Sequence, residues 1–373
     1  MYSIIYTIGM CIIWAFNLLN GTGLGMAYHT TEIAMGVTTV IMVICMVQQV
    51  AKDGDIHVPQ KYFYTVLIMA VVFVGVSFAY NRGTSGVMGF WVYMLVYILS
   101  RVKVTVEAQR LTSIAYGILG LAILYIFDYM DALDGWNANT IAMIGLFSFL
   151  IFTIPFYGMT EWRGLITLPL VGAAYAFLIW PTDSRSCIVV VIVMLMLVFR
   201  VIPVKRLLSS SMAMFVVLLV PLFVAVFVCL FSAFGDISGL MEWSKETFGK
   251  EIFSGRDQTW MHGFSLLAEK PLFGNGSVTS GYWHNSALAC LTAFGVVGYS
   301  LWTKLFHLIL KEGQPYLDDV CVTGSMVAFL ALYCHQSVEL GIFAPTPSLL
   351  PYAILGILLG RVNYLRSEQK CLQ

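Results

Sequence analysis

Two arginines stand out among the few charged side chains of this 373-residue chain. Arg185 lies in a polar turn between two apolar segments, and Arg256 begins a stretch with helical spacing. A guanidinium group binds phosphate oxygens through paired hydrogen bonds, so the two side chains together are suited to hold a diphosphate. Each arginine also has an ordinary alternative: an interfacial ion pair with Asp183 for the first, and a solvated ion pair with Asp257 or Glu251 for the second.

Histidines supply the candidate groups for proton transfer. His284 lies between Trp283 and Asn285, where its ring either anchors the chain or acts as a base on a hydroxyl group. His335 and Glu339 are four positions apart, so we expect them to share one face of a helix. A polar pair inside an apolar segment is costly unless it is used, which favours a functional site.

The composition indicates that a membrane positions these residues. Hydrophobic residues make up 59% of the sequence and charged residues 11%, whereas about a quarter of the residues in a typical soluble domain are charged. Basic and acidic residues both number 20, so the formal net charge is zero. A basic nucleic-acid surface and a disordered chain are therefore both excluded.

The apolar segments predict an all-α polytopic membrane protein with about 12 transmembrane helices in a single integral membrane domain, residues 1–373. A spanning helix needs roughly 20 mostly apolar residues. The predicted spans are 3–19, 28–50, 62–80, 84–100, 111–127, 140–160, 164–180, 187–202, 211–231, 285–310, 320–340 and 348–364. The first lacks a basic region and a cleavage site, so we expect a span there and not a signal peptide.

The basic residues of the connections predict the orientation. When both termini are placed in the cytoplasm, most lysines and arginines lie on the cytoplasmic side, as the positive-inside rule requires. Arg185, Arg256 and His284 then all lie at the outer face. The sequence therefore predicts an outward-facing site.

Residues 232–284 form the one long connection, which lies on the outer side between the ninth and tenth spans. Trp260, Phe264 and Leu267 recur there at helical spacing, which predicts a short amphipathic helix over 255–269. We expect that this helix lies on the membrane surface or covers a cavity.

Metal and cofactor chemistry are not indicated. The chain has no His-Glu-x-x-His, Gly-x-Ser-x-Gly or phosphate-loop motif, and its 8 cysteines form no Cys-x-x-Cys pair. Its Asp-x-Asp sequence, residues 53–55, falls on the predicted cytoplasmic side, away from the arginines. We expect no metal and no cofactor.

Several short motifs follow one another at the predicted outer face. In chain order they are SRS at 184–186, GRDQTW at 255–260, PLFGNG at 271–276, HN at 284–285 and GVVG at 295–298. This order resembles the O-antigen ligase and polymerase superfamily, which includes bacterial capsule and exopolysaccharide repeat-unit polymerases. The resemblance covers roughly residues 180–300, and the first 160 residues match only in hydropathy.

The resemblance implies a metal-independent glycosyltransferase of the bacterial cytoplasmic membrane. Such an enzyme polymerises undecaprenyl-diphosphate-linked oligosaccharide repeat units into a surface polysaccharide, and we expect inversion of the anomeric centre. Arg185 and Arg256 match the arginines that bind the lipid diphosphate, and His284 matches the histidine near the acceptor. These three residues are the predicted catalytic groups. The residues expected to bind substrate are Ser184, Trp260, Asn285, His335 and Glu339.

The expected partners are the lipid-linked oligosaccharide, membrane lipid, a chain-length regulator and a flippase, with no nucleic acid. Within the superfamily the alternative is a ligase that transfers a finished glycan to a lipid or protein acceptor. Trp260 stands where the ligase branch often has leucine, and this favours the polymerase. A second alternative is a polysaccharide or anion transporter. A transporter places ionisable groups in mid-span and repeats its halves, whereas mid-span positions here are apolar.

Overall fold

A computed structural model describes residues 2–20, 60–80, 99–130, 137–159, 161–235, 238–249, 255–276, 283–343 and 348–371, with a few isolated positions between these ranges. This part of the chain consists of α-helices joined by turns and short 3₁₀ segments, and it contains no strand. The helices are α1 Tyr2–Asn20, α2 Gln60–Ala79, α3 Val106–Met130, α4 Ala138–Thr153, α5 Trp162–Ile179, α6 Arg185–Val198, α7 Val204–Ser209, α8 Ser211–Leu218, α9 Val220–Phe234, α10 Ser238–Phe248, α11 Arg256–Glu269, α12 Ser286–Gly313, α13 Val320–His335 and α14 Leu349–Cys371.

Helices occupy most of the described residues of the predicted spans, although α6 ends at Val198 within the span 187–202 and α13 ends at His335 within the span 320–340. Two predicted spans, 28–50 and 84–100, fall largely outside them. Among the described helices, 5 are long and apolar enough to cross a membrane, or up to 6 if the bent pair α8 and α9 is one span. The chain is therefore helical and of the multi-pass membrane type, while the number of about 12 spans stays a prediction.

The outward surfaces of these helices are apolar. Large side chains such as Val71, Phe177 and Phe227 are exposed along α2, α5 and α9. Contiguous apolar surface of this kind is rare on soluble proteins and marks contact with lipid or with a partner. In a membrane protein, it faces the hydrocarbon chains.

Helix α13 lies at the centre of the bundle. Nearly every residue from Cys321 to Tyr333 is buried, and the helix packs against α6, α12 and α14. A helix that is apolar on all sides is suited to such a position. Its two ends therefore set where the polar residues next to it lie, with Asp319 before its first residue and His335 at its last.

The PLFGNG motif, residues 271–276, docks into a break in α12 and is here called the clamp segment. At Gly295 the helix has φ 64° and ψ −169°, so backbone groups on either side of it lack their usual helical partners. The clamp segment supplies those partners: Val296 N donates to Pro271 O at 2.9 Å, and Gly276 N donates to Ala293 O at 2.8 Å. These bonds fix the end of the long segment against the bundle.

Two glycines are required for this docking. A Cβ atom on Gly295 would lie 2.2 Å from the carbonyl oxygen of Leu272, and one on Gly274 would lie 2.5 Å from the carbonyl carbon of Ala293. Both glycines also have a positive φ of 64°, which other residues adopt only with strain. Gly274 of PLFGNG and Gly295 of GVVG therefore allow the two backbone segments to pack closely.

The segment 232–284 carries two described helices. Helix α11 lies where the sequence analysis expects one, and α10, Ser238–Phe248, was not anticipated. Asp257, Trp260 and Gly263 form the buried side of α11, which packs against α9 and α12. This packing brings the first turn of α11 to the end of α13.

Candidate functional site

A buried carboxylate contacts two of the three predicted catalytic residues. The Glu339 carboxylate lies 3.6 Å from Arg256 Nη2 through one oxygen and 3.4 Å from His284 Nδ1 through the other. The Glu339 side chain is 7% exposed, whereas those of Arg256 and His284 are 29% and 41% exposed. The two outer groups are therefore accessible to a ligand, and Glu339 supports them from within.

The backbone holds His284 in an unusual conformation. Its φ is +46°, a left-handed value that is uncommon for any residue except glycine. The preceding carbonyl, that of Trp283, accepts a hydrogen bond from the indole nitrogen of Trp260, and both indoles are buried. Strain of this kind persists where the surroundings fix it, and it is concentrated at functional sites.

Trp260 and Asn285, which are predicted to bind substrate, are both buried. Trp260 is 1% exposed, and its one polar atom is used on the Trp283 carbonyl. Asn285 is fully buried: its amide nitrogen donates to Pro221 O at 2.8 Å and to Ser337 O at 2.9 Å, and its oxygen caps α12 at Leu288 N. Both side chains therefore support the backbone around His284, and their roles in substrate binding stay predictions.

The expectation that His335 and Glu339 share a helix face is wrong. Helix α13 ends at His335, and Glu339 lies in the turn that follows. The cause is Gln336, whose side-chain oxygen accepts hydrogen bonds from Gly341 N at 2.6 Å and Ile342 N at 2.8 Å. These bonds fold the chain back on itself and direct Glu339 toward His284.

Gln336 was not among the predicted site residues. The residue is fully buried, and its side-chain oxygen also accepts from the Ser286 hydroxyl at 3.1 Å. Its backbone oxygen accepts from Ser286 N at 3.0 Å, which joins the end of α13 to the first residue of α12. A glutamine next to a histidine at the end of an apolar segment could have indicated this role, because a buried side-chain amide needs hydrogen-bond partners.

The end of α13 also meets the turn that carries Arg185. His335 is 3% exposed, and its Nε2 lies 3.1 Å from Ser186 Oγ and 3.6 Å from Cys187 Sγ. Ser184 is buried and its hydroxyl donates to Cys187 Sγ at 3.2 Å, so it orders the turn, and its predicted role in substrate binding stays a prediction. The predicted substrate-binding residue His335 therefore lies behind the turn.

Arg185 and Arg256 are linked through this turn. The Arg185 side chain is 54% exposed, and its Nε lies 3.4 Å from Asp183. Ser186, the residue after Arg185, contacts His335. Glu339, which follows His335 by four positions, contacts Arg256. The two guanidinium groups bind different carboxylates, so their joint binding of one ligand stays a prediction.

Each predicted catalytic residue lies at the start of a helix. Arg185 begins α6, Arg256 begins α11, and His284 precedes the first residues of α12. The N-terminus of a helix carries a partial positive charge and free N–H groups, and it favours anions. The helices therefore add to the positive potential that the arginines provide.

An apolar groove with a volume of about 600 Å³ lies between α6 and α13, and Ser186, which follows Arg185, lines it. Its walls are aliphatic, with Val190, Val193 and Leu197 from α6, and its polar groups are Ser186 and His335 at one end. From Ser186 to Leu197 the helix rises by about 16 Å, which is about half the thickness of a bilayer core. The groove fits a hydrocarbon chain whose polar end lies at the site.

No group of three or more His, Cys, Asp or Glu side chains converges within the described part of the chain. Arg185 and Arg256 both present partly exposed positive charges.

The fold and this site define a multi-pass helical membrane protein with a cationic site at one end of its bundle. A model of the O-antigen ligase family matches residues 170–303, which include Arg185, Arg256 and His284. The match confirms the resemblance to the O-antigen ligase and polymerase superfamily, whose members are glycosyltransferase-like enzymes. Gln336 and Glu339 lie beyond the matched segment. Among curated proteins, none matches this chain.

Proposed function

We propose that this protein is a glycosyltransferase of the bacterial inner membrane that polymerises undecaprenyl-diphosphate-linked repeat units at the outer face. The contact of Glu339 with both Arg256 and His284 carries the proposal, because it joins a phosphate-binding group and a base in one accessible site. The family match over 170–303 supports the same class of reaction.

The arginines bind the diphosphate of the donor. The 3.6 Å between Arg256 and Glu339 exceeds the distance of about 2.7–2.9 Å for a charge-assisted hydrogen bond, so the guanidinium group can turn to a ligand at little cost. Arg185, which is more exposed, supplies a second positive charge. Negative charge develops on the diphosphate as the glycosidic bond breaks, and fixed cations stabilise it. The polyprenyl chain lies in the apolar groove.

His284 activates the acceptor hydroxyl. The Glu339 carboxylate accepts a hydrogen bond from Nδ1–H, so the lone pair of the neutral ring is on Nε2. Nε2 takes the proton of the acceptor hydroxyl as that oxygen attacks the anomeric carbon. The bond from this carbon to the diphosphate oxygen breaks on the opposite side, which inverts the centre and releases undecaprenyl diphosphate. Glu339 orients the base and stabilises the imidazolium that forms.

Incubation of the purified full chain with undecaprenyl-diphosphate-linked repeat units tests this function. We expect a ladder of lengthened glycans and the release of undecaprenyl diphosphate. Excess chelator leaves the rate unchanged, because the arginines supply the charge that a metal would supply. Full loss of activity in chelator, with rescue by magnesium or manganese, contradicts the metal-independent mechanism.

A ligase that transfers the finished glycan to another acceptor is the second candidate, because the matching family is described as O-antigen ligase. The same groups perform both reactions, so the acceptor decides between them. A single transfer to an added lipid or protein acceptor, with no ladder, identifies the ligase. Movement of intact lipid-linked glycan across the bilayer, with no new glycosidic bond, identifies a transporter instead.

The remaining parts of the proposal concern topology and partners. Both termini lie in the cytoplasm, with the site at the outer face, and a flippase and a chain-length regulator work with the enzyme. Cysteine labelling from either side of sealed vesicles at Ser186 and at Ser367 tests the orientation.

A further inference from the structure

Three polar side chains form a chain of contacts from the core to the apolar groove. Gln336 Nε2 lies 3.4 Å from His335 Nδ1, and His335 Nε2 lies 3.1 Å from Ser186 Oγ. Gln336 and His335 are buried, and Ser186 lines the groove together with the edge of His335. The contacts therefore connect a fixed buried amide to an accessible hydroxyl group.

The orientation of the Gln336 amide follows from its other partners. The oxygen accepts from the backbone nitrogens of Gly341 and Ile342, and a backbone N–H can only donate. The amide oxygen is therefore on that side, and the NH₂ group faces His335 Nδ1. Because an NH₂ group has no acceptor, Nδ1 must carry the lone pair.

This arrangement fixes the proton of His335 and orients Ser186. A neutral ring with its lone pair on Nδ1 carries its proton on Nε2, which donates to the Ser186 oxygen. The Ser186 oxygen accepts this bond, so the Ser186 proton can be donated to a ligand. Ser186 lies next to Arg185 at the polar end of the groove, where an anionic head group would lie.

We propose that the Ser186 hydroxyl donates a hydrogen bond to the diphosphate of the lipid-linked substrate, and that His335 and Gln336 are positioning residues that hold it in this orientation. The inference rests on the proposed function and names a substrate contact that the sequence analysis did not include. Ser186 adds a neutral donor to the charge of Arg185 at the end of the groove.

Two variants test opposite parts of this arrangement. Ser186→Ala removes the hydroxyl, while Ser186→Thr keeps it and serves as the conservative rescue. When ionised, the carboxylate of Gln336→Glu presents only acceptors to His335 Nδ1. The neutral ring then carries its proton on Nδ1 and Nε2 accepts from Ser186, which turns the hydroxyl away from the ligand. Ser211→Ala is the matched control, since Ser211 Oγ lies 3.0 Å from His307 Nε2 in a serine–histidine pair elsewhere.

The measurement is equilibrium binding of undecaprenyl diphosphate and of undecaprenol to the purified full chain in detergent. We expect Ser186→Ala and Gln336→Glu to weaken diphosphate binding about tenfold, which is the scale of one hydrogen bond to a charged group. Undecaprenol binding stays unchanged because the alcohol has no diphosphate. Ser186→Thr and Ser211→Ala bind as the wild type does.

Nitrogen-15 spectra of histidine-labelled protein give a readout independent of binding. The ring signals that disappear in His335→Asn are those of His335, and we expect a proton on Nε2 in the wild type and on Nδ1 in Gln336→Glu. Wild-type diphosphate affinity in Ser186→Ala, or a proton on Nδ1 in the wild type, overturns the inference. A wild type that binds diphosphate through Ser186 but forms no glycosidic bond overturns the proposed function and leaves this inference standing.

Discussion

The two ends of helix α13 use charged residues in opposite ways. At the anchored end, Asp319 caps the helix at Val322 N and receives Arg361 through two nitrogens, the closer one at 2.7 Å. At the site end, the Glu339 carboxylate lies 3.6 Å from Arg256 and 3.4 Å from a histidine. The Arg361–Asp319 pair is short and bidentate, whereas the Arg256–Glu339 contact is long and made through one nitrogen.

This difference separates structural charges from functional ones. The Arg361 side chain is 6% exposed and also donates to Val104 O, so its hydrogen-bonding groups are used within the protein. Arg256 is more exposed and contacts Glu339 through one nitrogen at a long distance, so a ligand can replace that contact. Changes at the anchored end should therefore lower stability, and changes at the site end should lower turnover.

The largest effect is expected at His284. We expect His284→Ala to lower the rate of chain lengthening by about 10²–10⁴-fold, the usual contribution of a positioned base, while the variant still binds donor lipid. Product ladders and lipid binding measured side by side check this. His262→Ala, on the exposed side of α11, is the control and keeps its activity. Near-normal lengthening by His284→Ala rules out the role of the base.

Removal of Arg361 should produce the largest loss of stability. Arg361→Ala leaves the mostly buried Asp319 carboxylate without its partner, a change that costs about 3–5 kcal/mol. Thermal unfolding in detergent measures the loss. Arg366→Ala removes a more exposed pair with Glu312 and should cost less. Equal unfolding temperatures for Arg361→Ala and Arg366→Ala would contradict a structural role for Arg361 at the anchored end of α13.

A smaller loss is expected in the clamp segment's docking site. Gly295→Ala combines a positive φ with overlap against the Leu272 carbonyl oxygen, and the strain alone costs about 1–3 kcal/mol. The variant should unfold at a lower temperature and lengthen glycans more slowly. Gly75→Ala is the control, because a Cβ atom there has no neighbour within 4 Å. An unchanged unfolding temperature for Gly295→Ala shows that the clamp segment is not held as described.

The smallest effect is expected for the exposed pair Lys205 and Asp318, whose atoms lie 2.6 Å apart. Lys205 donates to Asp318 and lowers the pKa of that carboxyl below its usual value. A lowered carboxyl pKa means that any stabilisation is present at neutral pH and disappears as the pH falls through that pKa. Since both side chains are exposed, Lys205→Ala should leave the unfolding temperature unchanged at neutral pH. A clear drop contradicts the contrast with Arg361.

The sequence indicated which residues are candidates for the site, but it did not indicate which side chains contact one another in the fold. Hydropathy located the long apolar helices but not α10, and residue type and chain position singled out Arg256 and His284, which the structure places around Glu339. The contacts to Glu339 join residues 55 or more positions apart, and no local spacing specifies them. The spacing of His335 and Glu339 was misleading because Gln336 ends the helix between them. Trp260 and Asn285 are both buried, which their residue types did not reveal, because aromatic and amide groups serve as buried supports as well as ligand contacts.

Glu339 and His284 are proposed to act as one unit, and a double-mutant cycle measures the coupling between them. Initial rates of undecaprenyl diphosphate release are measured for the wild type, Glu339→Gln, His284→Ala and the double variant. We expect Glu339→Gln to slow the reaction and the double variant to be no slower than His284→Ala alone, because the carboxylate acts through the histidine. Two effects that multiply in the double variant would show that the residues act independently and would contradict the account.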